Sequence, residues 1–61
     1  MPAYYPEGDT PLLTDSFERL LHKAVSLLSE QNGGTDAPDP TDSEETLMFK
    51  LVKNLNTLIN A

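Results

Sequence analysis

The chain has 61 residues, four basic and ten acidic side chains for a formal charge of -6, and no cysteine. So short a chain admits one small domain, which no disulfide can brace. Acids and bases divide evenly between residues 1–30 and 31–61, which argues against a nucleic-acid backbone or an anionic membrane as partner, since both need clustered Lys and Arg.

Residues 1–13 contain three prolines and one glycine. Proline fixes its own φ and drives the preceding residue toward extended geometry, so "YYPEGDTP" is expected to be an extended N-terminal arm. Tyr4, Tyr5, Leu12 and Leu13 give that arm apolar side chains with which to dock, and Tyr4 and Tyr5 are its partner-binding candidates. "MPAYYPEGD" lacks the basic and apolar regions of a secretory signal. The apolar runs, two or three residues long, fall far short of the roughly 20 that span a bilayer. An intracellular chain without a membrane partner is expected.

A first helix is predicted over 16–30, with Asp15 as N-cap, Glu18 as its partner in a capping box, and Arg19 one turn from Asp15. At 100° per residue Phe17, Leu20, Leu21, Ala24, Val25, Leu27 and Leu28 share one side, and Arg19, His22, Lys23, Ser26, Ser29 and Glu30 the other. "NGG" stops the helix, and 31–40, "QNGGTDAPDP", is an acidic Gly/Pro loop. A second helix follows over 43–60, with Asp42 as N-cap and Glu45 three residues on. Its apolar stripe is Leu47, Met48, Leu51, Val52, Leu55, Leu58 and Ile59.

The two helices say nearly the same thing. At an offset of 27, residues 11–28 and 38–55 agree at nine of eighteen positions, from Pro11/Pro38 and Thr14-Asp15-Ser16/Thr41-Asp42-Ser43 to Lys23/Lys50, Val25/Val52 and Leu28/Leu55. The predicted architecture is therefore all-α: a duplicated helix unit over 14–61 (copies 14–30 and 41–61) forming a helical hairpin behind the arm. Two lone helices cannot bury both stripes, so oligomerisation or a partner is expected to complete the fold. The candidate contact residues are Leu20, Leu21, Val25 and Leu28 in one helix, and Leu47, Leu51, Val52, Leu55 and Ile59 in the other. Phe49 joins them because it stands apart from the main stripe and aromatic anchors dominate many interfaces.

No constellation points to catalysis. Asp15, Glu18, Asp42 and Glu45 occupy helix starts, and His22, the single histidine, has no cysteine or serine placed to work with it. "EGDTP" lacks the further glycine and the lysine of a phosphate loop. No catalytic residue, metal site, cofactor or small-molecule substrate is expected.

"YPEGDTP" followed by "TDSFERLLHKAVSLL" resembles short virion proteins of tailed bacteriophages, in which Asp-Thr or Asp-Ser precedes a helix of the form Leu-Leu-x-Lys. The match covers residues 5–28; the second copy echoes it, with Met48 and Phe49 in place of Leu21 and His22. The resemblance implies a structural component of the head, neck, tail or fibre attachment, assembled in the host cytoplasm and contacting larger virion proteins or copies of itself. The alternative is an acidic regulatory module, inhibitor-like or antitoxin-like, that covers a basic protein surface with Asp36, Asp39, Asp42, Glu44 and Glu45.

Overall fold

The computed structural model describes residue 5 and residues 8–60. Among these the regular structure is two helices, α1 (Phe17–Gln31) and α2 (Glu44–Ile59), packed against each other, the all-α helix pair expected from the periodicity. Tyr4, a contact candidate, lies outside the described residues.

Both N-caps fall one residue later than the expected aspartates. Ser16 Oγ accepts the Arg19 N–H at 3.2 Å, and Ser43 Oγ accepts the Thr46 N–H at 3.2 Å. With serine satisfying the third amide of each helix, the neighbouring carboxylates turn backward. Asp15 accepts the Leu12 N–H at 2.8 Å and Asp42 the Asp39 N–H at 3.0 Å. Glu18 and Glu45 remain in the first turns, where negative charge meets the positive end of the helix dipole. At the other end of α1 the Gly34 N–H reaches the Ser29 carbonyl at 2.7 Å, with Gly33 and Gly34 at φ 71° and 87°. Only glycine enters that region without steric cost, so "NGG" ends the helix by backbone chemistry.

The segment before each helix does not project. Lys23 Nζ bonds the Thr10 carbonyl at 2.9 Å and Asp15 at 2.5 Å, while Lys50 Nζ bonds the Ala37 carbonyl at 3.1 Å and Asp42 at 2.5 Å. Every partner in the second set lies 27 residues after its counterpart. Further out, Ser26 Oγ donates to Asp9 at 3.0 Å, and Lys53, its equivalent, reaches Asp36 at 3.5 Å. The repeat thus extends outward to Asp9 and Asp36, and each unit is a strap laid back along its own helix and tied by a lysine.

This strap changes what is buried. His22, Lys23, Ser26 and Ser29, expected on the solvent-facing side, are buried. The strap covers the first three and the connection after α1 meets Ser29 at Thr35, and a wheel of one helix records neither. The apolar core is small: Leu21, Val25 and Leu47, with Leu51 packed against them. Seven residues beyond Val25, Asn32 Nδ2 bonds the Asn54 side-chain oxygen at 2.8 Å and its carbonyl at 3.1 Å; Asn54 itself lies seven residues beyond Leu47. Contacts therefore advance in the same direction along both helices, because the connection returns beside α2 before α2 begins.

Candidate functional site: two lysine straps and two uncovered apolar faces

Each strap closes on a lysine–aspartate ion pair. Asp15 and Lys23 side chains are 2% and 3% exposed, and Arg19 completes the cluster at 3.1 Å from Asp15. The Lys23 ammonium, with help from the Leu12 amide and Arg19, holds the Asp15 carboxyl below the usual carboxylate range, against the opposing effect of burial. Asp42 is depressed in the same way by Lys50 and the Asp39 amide, and Asp39 by the Thr41 hydroxyl and amide. A carboxylate locked as the anion against a lysine serves as an anchor and is a poor proton acceptor near neutrality. Among the described residues no three His, Asp or Glu side chains are grouped to hold a metal ion.

Tyr5 is half-buried on α1. Its ring meets His22 edge to face at 6.0 Å between centroids, and the Arg19 guanidinium sits 4.0 Å over it. This cation–π contact helps close the strap over the helix. Tyr5 therefore makes an intramolecular contact, in addition to any it offers outside.

The other contact candidates divide into two groups. Leu21, Val25 and Leu47 form the core, with Leu51 packed against it, and Leu28 is half-buried. Leu20, Phe49, Val52, Leu55 and Ile59 are exposed, Phe49 at 66% and Ile59 at 78%. Leu13, Phe17, Leu27 and Met48 are also exposed and were not among the candidates. On α1 the uncovered side chains Phe17, Leu20 and Leu27 recur at helical spacing along one edge of the apolar stripe. On α2 Met48, Val52, Leu55 and Ile59 do the same. Each apolar stripe is wider than the single neighbour it packs on, and the surplus faces outward. Stripe width was readable from the wheel; which edge stays uncovered was not.

Among the described residues no helix is long and apolar enough to cross a membrane. Compared with protein-family models, with curated proteins and with solved structures, the chain matches none.

Proposed function

We propose that the chain is a small structural subunit of a bacteriophage particle that acts by surface contact rather than by catalysis, its partners being larger virion proteins, copies of itself, or both. The observation that supports this reading is the pair of uncovered apolar edges on two helices whose N-terminal segments are strapped down. Contiguous apolar surface on a monomer marks a place of contact, and the strapped helices present it at little ordering cost. The test is incorporation: a tagged chain expressed during infection co-purifies with particles, and Phe49→Ala, which removes the most exposed aromatic described, lowers the amount recovered. Unchanged recovery would rule out the anchoring role of Phe49, and absence of the tagged wild-type chain from particles would rule out the reading itself. The regulatory alternative is less well supported, because Asp36 and Asp42 are engaged with the chain's own lysines and Asp39 with its own Thr41.

A further inference from the structure

Each helix of the repeat has two apolar edges, and the two copies use opposite ones. In α1 the inward edge carries Leu21 and Val25; the equivalent positions of α2, Met48 and Val52, are uncovered. In α2 the inward edge carries Leu47, Leu51 and Asn54; the equivalents in α1 are Leu20, Ala24 and Leu27, of which both leucines are exposed. One junction between these edges is formed inside the molecule, leaving one unused edge of each kind.

We infer that the chain associates with a second copy of itself head to tail, the uncovered edge of α2 packing on the uncovered edge of α1 of the next chain in the way α1 packs on α2 within one chain. The inference rests on the reading of these edges as contact surfaces and names their first partner. Continuity with the intramolecular junction is the first argument: the surfaces that would meet are the repeat-equivalents of surfaces that already fit. A paired substitution is the second. The internal junction includes the Asn32–Asn54 hydrogen bonds, and 27 residues away these positions are Ile59 and Leu27. Between chains Ile59 would meet Leu27, so both members of a polar pair are replaced together by an apolar pair. A lone asparagine against a leucine would leave a buried amide without a partner, and neither junction contains that mismatch. Size is the third: seven large side chains, 40–78% exposed, line the two edges, and laying one edge on the other buries on the order of 1,000 Å², about the threshold for a specific interface.

Such a junction is heterologous, so it closes into a ring or continues as a filament, as repeat units stack within a solenoid. Sedimentation of wild-type chain, Leu27→Lys and Ile59→Lys tests it, with circular dichroism confirming that each variant keeps its helices; both positions are exposed, and lysine suits the last turns of a helix. Wild-type chain is expected to form concentration-dependent oligomers, and each variant to need roughly tenfold or more protein to do so, the effect of losing one buried side chain. Mixed in equal amounts, the two variants should yield a dimer, because one retains the α2 edge and the other the α1 edge. A mixture no more associated than its components, or a single variant that oligomerises like wild type, would overturn the inference. Wild-type chain that stays monomeric but is incorporated into particles would overturn it while leaving the structural-subunit reading intact. Oligomers of the expected pattern in a chain absent from particles would support the inference and remove that reading.

Discussion

Lys23 and Lys50 perform the same task in different surroundings. Both tie an aspartate and a carbonyl of the strap to a helix, yet the Lys23–Asp15 side chains are 3% and 2% exposed and the Lys50–Asp42 side chains 20% and 13%. Removing one member of an ion pair leaves the other without its partner, and the penalty grows with burial. Lys23→Met is therefore expected to lower the urea midpoint further than Lys50→Met, and equal shifts would show that the first strap contributes no more than the second. The serine caps are a separate matter. Ser16→Ala and Ser43→Ala should each cost about 1 kcal/mol in urea unfolding, the usual worth of an N-cap side chain. Asp15 and Ser16 are adjacent and both are good caps, so the sequence pattern alone could not choose between them. The choice follows from Lys23, eight residues on, which draws the carboxylate away from the helix end.

For the elements, position on the stripe separates side chains that look alike in sequence. Leu47→Ala empties a site with no solvent exposure and is expected to cost about 2–5 kcal/mol. Val52→Ala removes an exposed side chain and should stay within about 1 kcal/mol when unfolding is measured on dilute chain. If the two substitutions were equivalent, α1 and α2 would not pack through the Leu21, Val25 and Leu47 cluster. The turn after α1 offers a backbone test: Gly34→Ala forces a side chain to φ 87° and should cost about 1–2 kcal/mol. Helix positions, the glycine stop and the duplication were legible because they depend on spacing and local chemistry. The burial of His22 and Ser26 was not, because the strap that covers them meets α1 only after the chain folds.

The whole molecule should respond to acid through its straps. Asp15, Asp39 and Asp42 have carboxyls held below their ordinary value of 3.8 in the folded chain. A depressed folded pKa stabilises the native state fully above the unfolded value and loses that contribution as pH falls through the folded one. Stability measured by urea midpoint should hold from neutrality down to the ordinary carboxylate range and then fall, and Asp15→Asn with Asp42→Asn should flatten the fall. An unchanged acid limb in that double variant would show that the strap carboxylates do not govern it.

By itself the sequence determined the number of helices, their approximate limits, the glycine stop and the 27-residue repeat, because all of these follow from periodicity and short-range hydrogen bonding. Tertiary structure decided three further things. It chose serine over aspartate as cap, it folded the prolyl segments back under Lys23 and Lys50, and it selected which edge of each apolar stripe is covered. These depend on contacts between groups 8 to 22 residues apart, where identical residue types in the two copies meet different neighbours. The duplication makes the two units alike in sequence, and packing one against the other makes them unlike: each keeps uncovered the edge that its twin has buried.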